Sequence, residues 1–483
     1  MLTLDDRLPS PTFHATDIQH GNQRRTLPNC LTQPVDMDQD ENELRIGVIG
    51  CGYLGVTHAA CMAELGFEVV GLDVDVAKVA ALNDGNLPFY EPGLEALVRR
   101  GLESGRLRFT AAYDEVAAFA DVLFICVSTP QRDGDYAADL SRLDAVVETL
   151  APLLGRAVLV VGKSTVPVGT AVQMANRFHE LSPARELVHV AWNPEFLREG
   201  FAIEDTLRPD RIVLGLRDGS DDFAEKTLRQ VYAYALSQGT PMVVADYPTA
   251  ELVKVSANAF LATKISFINA MAEVCEASGA DVTVLADAIG RDERIGRNYL
   301  NAGLGIGGGC LPKDLRAFIA RAGELGVGDA LMFLREVDAI NQRRRQRIVD
   351  MATELVRRPW PGTRVAVLGA AFKPDSDDIR DSPALNVAGR LHLLGAHVRV
   401  YDPRAMDNAR RSWPTLAYAE SAQEACHDAH IVLLLTEWEE LVAIDPLALR
   451  DHVSTPMIVD GRNALDPSAW RDAGWVYRAP GRH

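Results

Sequence analysis

Gly50-Cys51-Gly52-Tyr53-Leu54-Gly55 is the segment that most restricts the folds open to this chain. It follows an apolar, strand-like run, Ile46–Ile49, and opens a stretch with helical spacing. Asp73 closes the next strand-like run, eighteen residues beyond the last glycine. Glycines at this spacing let the backbone turn sharply and approach a pyrophosphate at a helix N-terminus, while the acid accepts from a ribose hydroxyl. A bare strand–helix turn would also use the glycines, but strand, helix and acid together favour a dinucleotide. Val74 and Asp75 follow Asp73, with no arginine to hold a 2′-phosphate, so NAD is expected rather than NADP.

The same rhythm continues along the chain. Strand-like runs at Arg45–Ile49, Glu68–Leu72, Val122–Val127, Ala157–Val161 and Val188–Ala191 alternate with helical stretches, which is the pattern of a parallel sheet. From Thr249 to Ser278 apolar residues recur at helical spacing with no proline, predicting one long helix followed by further helices to about Pro359. A second alternating region begins at Arg364–Leu368 and continues through Val398–Tyr401, Ile431–Leu435 and Met457–Asp460. The expected fold class is α/β, with two Rossmann-like doubly wound domains joined by a long central helix and a helical middle region. The boundaries expected are a flexible tail over 1–43, a dinucleotide-binding domain over 44–246, a helical domain over 247–359 and a second Rossmann-like domain over 360–483.

Composition narrows the partners. A chain of 483 residues with a net charge of −18 repels nucleic acid and anionic membrane, so neither is expected. Seven scattered cysteines without a C-x-x-C pair suggest neither a disulfide framework nor a zinc site. Cys426-His427-Asp428-Ala429-His430 reads as a solvated helix end, and no metal is expected. Without a membrane-length apolar run or a signal-peptide pattern, a reducing cytoplasm is the expected location.

The chemistry concentrates at Gly303–Cys310, where five glycines in seven residues deliver a thiol to the start of a helix marked by Pro312. The helix N-terminus and Lys313 are expected to favour thiolate over thiol. A buried structural cysteine is the alternative. Three more loops fall at strand ends, where open α/β sheets bind ligands: Val127–Pro130, Lys163–Thr170 and Asn193–Gly200. Glu195 and Glu199 would share a face if their segment were helical, suiting acid–base work; otherwise they are surface carboxylates. Lys254 and Asn258, four apart on the long helix with Glu251 and Lys264, suit a polar lining or an interface ion pair. In the second α/β region, Phe372–Pro383 replaces the dinucleotide glycines with a charged loop, and Arg462 stands at a later strand end. This suggests a degenerate Rossmann unit that binds a nucleotide without a second NAD.

Taken in order, the dinucleotide loop, Pro88-Phe89-Tyr90-Glu91-Pro92-Gly93, the Lys163–Thr170 loop, Asn193–Gly200, Lys254 with Asn258, the Cys310 loop and Phe372–Pro383 resemble the nucleotide-sugar 6-dehydrogenases. The match runs from about Leu44 to the C-terminus. Members oxidise a primary alcohol to a carboxylate in two NAD-dependent steps. The Phe89–Gly93 and Asp377–Arg380 segments lean toward UDP-glucose as substrate, while Cys-Leu-Pro-Lys-Asp is also similar to members acting on GDP-mannose. The resemblance implies Cys310 as nucleophile, and Lys254 and Asn258 as oxyanion stabilisers. Asp314 with Thr165 would hold a water, that water or Lys254 serving as base, and Glu195 would act in thioester hydrolysis. It implies cofactor contacts from Gly50, Gly52, Tyr53, Leu54, Gly55, Asp73, Lys78, Ser128, Thr129, Thr165, Glu199 and Arg380. The sugar nucleotide would meet Glu195, Phe196, Leu197, Lys254, Asn258, Tyr299, Gly307, Lys373 and Arg462. Arg294 would reach it from a neighbouring subunit in a homodimer or larger homo-oligomer built on the long helix.

Overall fold

A computed structural model describes residues 44–482; the tail expected over 1–43 lies outside the described residues. Eight strands form the first sheet: β1 (Arg45–Ile49), β2 (Glu68–Leu72), β3 (Leu107–Thr110), β4 (Val122–Ile125), β5 (Val158–Gly162), β6 (Val188–Trp192), β7 (Ile212–Leu216) and β8 (Met242–Asp246). Their order is β3-β2-β1-β4-β5-β6-β7-β8, parallel throughout except where β6 meets β7. β4 and β5 are buried along their whole length, as strands covered by helices on both faces must be. The second sheet holds β9 (Arg364–Leu368), β10 (His397–Tyr401), β11 (Ala417–Tyr418), β12 (Ile431–Leu434), β13 (Met457–Asp460) and β14 (Val476–Arg478), in the order β11-β10-β9-β12-β13-β14. In both sheets the chain order reverses beside the first strand, which opens a crevice at the C-terminal strand ends.

The two sheets repeat one device. The Gly50 amide donates to the Leu72 carbonyl at 2.8 Å, and the Gly369 amide donates to the Tyr401 carbonyl at 2.7 Å. Both glycines take positive φ, 95° and 105°, which a side chain would resist. Asp73 and Asp402 each follow the second strand of their sheet and accept from the adjoining loop, Asp73 from the Cys51 amide and Asp402 from Ala370 and Ala371. Asp402 also accepts from Trp438 Nε1, Arg404 and Ala405. Its oxygens are thus committed to the protein, which leaves the second loop without the free acid a ribose needs.

Between the sheets runs a helix of 32 residues, Tyr247–Ser278, with Asp246 as its N-cap and Gly279 closing it in the left-handed conformation. The uninterrupted helical spacing of the sequence is what allows this length. Glu251 on this helix accepts from the amides of Gly169 and Ala171, each at 2.7 Å, capping the helix Thr170–Leu181 from outside. Burial pushes its carboxyl up to about 7 despite those donors. Helices Leu311–Glu324 and Met332–Val356 pack beside it. Among the described residues, no helix is long and apolar enough to cross a membrane.

Candidate active site

Each glycine of the first loop has its own reason. A Cβ on Gly50 would crowd Val127, and one on Gly55 would run into the Gly50 carbonyl, so Gly55 sets the close approach of helix to turn. A Cβ on Gly52 would meet nothing within 4 Å, so the space above it is open. Gly52 is also the N-cap of the helix Tyr53–Glu64 and offers no side chain to the first amides. Open space over uncapped amides, with a buried strand-end acid beside it, fits a dinucleotide pyrophosphate and ribose. Asp73 Oδ2 accepts from Lys78 Nζ at 3.0 Å, so the two groups assigned to the ribose lie together. Tyr53 and Leu54 are half-buried at the helix start; the Tyr53 hydroxyl donates to Glu91. The Ser128 hydroxyl accepts from Arg142, and Thr129 Oγ1 donates to the Thr165 carbonyl at 2.6 Å.

The thiol stands where the sequence places it: Cys310 is the N-cap of the helix Leu311–Glu324, and Pro312 lies in its first turn. Its titration departs from expectation. Burial, with the carboxylates of Asp314, Glu195 and Glu199, pushes the thiol up to about 12 against the pull of the Lys254 ammonium. The expected help from Lys313 fails because its ammonium is spent on Asp314 Oδ1 at 2.6 Å. Solvent reaches Cys310, yet dense protein around the sulfur and three acids outweigh the helix terminus. The groups around the sulfur therefore favour thiol over thiolate.

Around it the long helix contributes Lys254 and Asn258, both buried. Lys254 Nζ pairs with Glu195 Oε1 at 3.0 Å, and Asn258 Nδ2 donates to Asp314 Oδ2 at 2.7 Å. Burial alone would pull the Lys254 ammonium down, but Glu195, Asp314 and the Cys310 sulfur outweigh it, and its pKa is raised. It stays charged. Thr165 and Asp314 line one cavity of about 20 Å³, a size that admits a single water.

Glu195 and Glu199 do not share a helix face, because residues 193–198 form a loop without regular secondary structure. Pro194 and the bond from the Leu197 amide to Glu195 Oε2, 2.6 Å, hold that loop open. Glu195 therefore turns to Lys254, while Glu199 turns to the second sheet, accepting from Ser376 Oγ at 2.7 Å and lying 3.4 Å from Arg380. Burial and Asp378 raise the Glu199 carboxyl. Arg380 chelates Asp378 and crosses Gly309 so closely that a side chain there would strike the guanidinium. Phe196 lies 3.7 Å below the Arg211 guanidinium and 5.5 Å from Lys254 Nζ. Leu197 and Tyr299 are half-buried, and Tyr299 adopts a positive φ of 66°. Gly307 is pressed against Pro383 and Phe372. Burial lowers the Lys373 ammonium against the pull of Glu199 and Glu91. Arg462 donates to the carbonyls of Leu435 and Phe372, each at 2.7 Å. Arg294 is the exception: it points to solvent, 89% exposed, and pairs with Asp292. Within one chain it does not join the site.

Sequence reading missed what holds the glycine loop in place. Asn269 accepts from the Gly303 amide, Asn341 brackets Ile306 with both ends of its amide, and Arg344 and Arg345 donate to the carbonyls of Gly303 and Ile306. Glu91, in the Pro88–Gly93 segment, accepts from the amides of Gly200 and Ala202 and fixes the loop carrying Glu199.

A Rossmann sheet with an open glycine loop, facing a second sheet across a cysteine set among a lysine, an asparagine and carboxylates, is the arrangement of a dinucleotide-dependent dehydrogenase. Residues 44–236, 248–343 and 366–467 match, in turn, the NAD binding, central and UDP binding domains of the UDP-glucose/GDP-mannose dehydrogenase family. The chain belongs to that family; it is an oxidoreductase with NAD as its cofactor. The UDP-glucose 6-dehydrogenase of Rhizobium meliloti (strain 1021) is 41% identical over 439 residues, 91% of this chain and all of that one. A UDP-glucose 6-dehydrogenase of Pseudomonas aeruginosa is 41% identical over 449 residues, 91% of this chain and 98% of the other. Among solved structures, a UDP-glucose dehydrogenase from the hyperthermophilic archaeon Pyrobaculum islandicum matches with a TM-score of 0.84 and 37% identity, covering 92% of this chain and all of that one.

Proposed function

We propose that this chain oxidises the 6-hydroxymethyl group of UDP-glucose to the carboxylate of UDP-glucuronate, with Cys310 as covalent catalyst. One observation carries the proposal: a thiol stands at the head of a helix beside the buried Lys254 ammonium, where an enzyme stopping at the aldehyde would have no use for it. The relatives named above, at 41% identity across nearly the whole chain, support UDP-glucose as the substrate.

NAD, when bound, supplies the acceptor for two hydrides in succession, one hydride per molecule. The protein's own groups do the rest. The first oxidation removes the C6 hydride, the hydroxyl proton leaving through the water site between Asp314 and Thr165. The aldehyde that remains resists losing a second hydride until a nucleophile adds to it. Cys310 adds to the carbonyl carbon, a C–S bond forms, and the thiol proton ends on the former carbonyl oxygen, so the thiohemiacetal has the atoms of aldehyde plus thiol. Lys254 and Asn258 donate to that oxygen while it is negative. Because Lys254 remains protonated, the base is the water held by Asp314 and Thr165, which takes up the thiol proton and passes it on. Loss of a hydride, with the hydroxyl proton leaving through the same water site, turns the thiohemiacetal into a thioester. Water then attacks the thioester under Glu195, breaking the C–S bond, releasing the acid and restoring the thiol.

Asp73 and Lys78 hold the adenosine ribose in this reading, and Arg380 and Glu199 close on NAD from the two sheets. Lys373, Arg462, Gly307, Phe196, Leu197 and Tyr299 line the sugar-nucleotide site. We place the domain divisions near 246 and 359, a choice supported by the end of β8 at Asp246 and the start of β9 at Arg364. Two NADH should form per UDP-glucose consumed. One NADH per substrate, or reduction with GDP-mannose alone, would overturn the reading.

We also propose that two copies pair through the long helix. Leu252, Phe260, Phe267 and Val274 form an exposed apolar stripe seven or eight residues apart along it, and burying such a stripe is favourable. Arg294 would enter the partner's site. Sedimentation should report a dimer or larger species; a monomer at micromolar concentration would sink this.

A further inference from the structure

Beneath the site lies a buried cation that the reaction as described does not use. Lys163 follows β5 and is 7% exposed. No carboxylate lies within ion-pairing distance of its ammonium among the described residues. It donates instead to Asn193 Oδ1 at 2.9 Å and to the Tyr232 hydroxyl at 3.3 Å, and it stands 5.7 Å from the centre of the Phe124 ring. Tyr232 also donates to Asn193 Oδ1, and Asn193 Nδ2 donates to the Val213 carbonyl at 2.9 Å.

An ammonium without a counter-charge is costly to bury, so its retention calls for a function that hydrogen bonding alone between neutral groups would not serve. Its neighbours along the chain indicate one. Lys163 is two residues from Thr165, and Asn193 is two residues from Glu195. The Lys163–Asn193 bond therefore ties the ends of two adjacent strands, β5 and β6, just where each releases a loop into the site. The Glu195 loop, residues 193–198, carries no regular secondary structure of its own. The backbone ties its root, where the Asn193 amide donates to the Gly162 carbonyl at 2.8 Å. The carboxylate itself meets only the Leu197 amide and Lys254 among the described residues, so its placement depends on how the Asn193 side chain is held.

We propose that Lys163 is a positioning residue that sets the Glu195 carboxylate in register with Thr165 for the hydrolysis of the thioester. The inference rests on the proposed role of Glu195, and Glu195→Gln separates the two. In Lys163→Met, hydrolysis of the acyl-enzyme should slow about a hundredfold, as for a catalytic group displaced by an ångström or so. The first turnover should still release NADH in a burst, and mass spectrometry should find an acyl adduct on Cys310 that wild-type protein does not accumulate. Tyr232→Phe removes one hydroxyl from the same bracket and keeps the packing; it should give the same adduct with about a tenfold slowing. A merely structural role would slow the burst and hydrolysis alike, with no adduct. If Glu195→Gln accumulates the adduct and neither Lys163→Met nor Tyr232→Phe does, the positioning role is wrong and the Glu195 role stands. If no variant accumulates it, both fall.

Discussion

Cys310→Ala is expected to abolish formation of the carboxylate while NAD still binds. In the proposed reaction Cys310 is the group that adds to the aldehyde carbon and lets it lose a second hydride. Removing a covalent nucleophile from an enzyme that uses one typically costs about four to six orders of magnitude in turnover. Binding of NAD should survive, because the groups that fit it, the Gly50–Gly55 loop and Asp73, sit on the first sheet and share no hydrogen bond with Cys310. The side chain change is small and the residue is solvent-reachable, so the fold should be kept. Calorimetry for NAD and NADH stoichiometry for turnover check both halves. Cys310→Ser should instead trap a slowly hydrolysed ester of the sugar acid, visible as a mass increase. Undiminished production of the acid by Cys310→Ala would end the covalent account.

How much of this was legible in the chain depends on the range of the interaction. The turn at Gly50–Gly55 is local: strand, glycines and helix are consecutive, and Asp73 follows by a fixed offset, so sequence alone reads it. The long helix is also local, because its length depends only on uninterrupted spacing. Its place at the end of the second strand of its sheet could likewise have singled out Asp402, since Asp73 occupies the same place in the first sheet. What spacing could not reveal is that five donors already occupy that acid. Asn269, Asn341, Arg344 and Arg345 carried no signal, since each reaches a glycine-loop group 34 to 41 residues away that only packing brings near. The thiol shows the limit most plainly. A helix N-terminus and a neighbouring lysine argue for a thiolate in sequence, but Asp314 captures that lysine. Glu195 and Glu199 arrive from a different strand end, and their sum with burial reverses the sign. Charge balance in a cleft is a sum over elements that are distant in sequence.

Lys254→Met should lower turnover about a thousandfold, in the range lost when a preorganised oxyanion donor is removed, and should also cost stability. The two losses have different origins. Lys254 and Glu195 are a buried pair, 5% and 13% exposed, and removing one member leaves a buried carboxylate uncompensated, at a cost of about 3–5 kcal/mol. The pH dependence follows from the raised Lys254 pKa. A lysine whose folded pKa lies above its unfolded value of about 10.4 gives stability that is fully present below that value, lost only as pH rises through the folded one. The deficit of Lys254→Met against wild type, measured by denaturant melts, should therefore not shrink between pH 7 and pH 9. The double variant Lys254→Met with Glu195→Gln separates the origins, because it replaces the pair with neutral groups. Its stability should return most of the way to wild type, while its activity stays at or below that of the single variant. Recovery of turnover along with stability would mean that Lys254 serves only to neutralise Glu195, and the oxyanion role would have to pass to Asn258 alone.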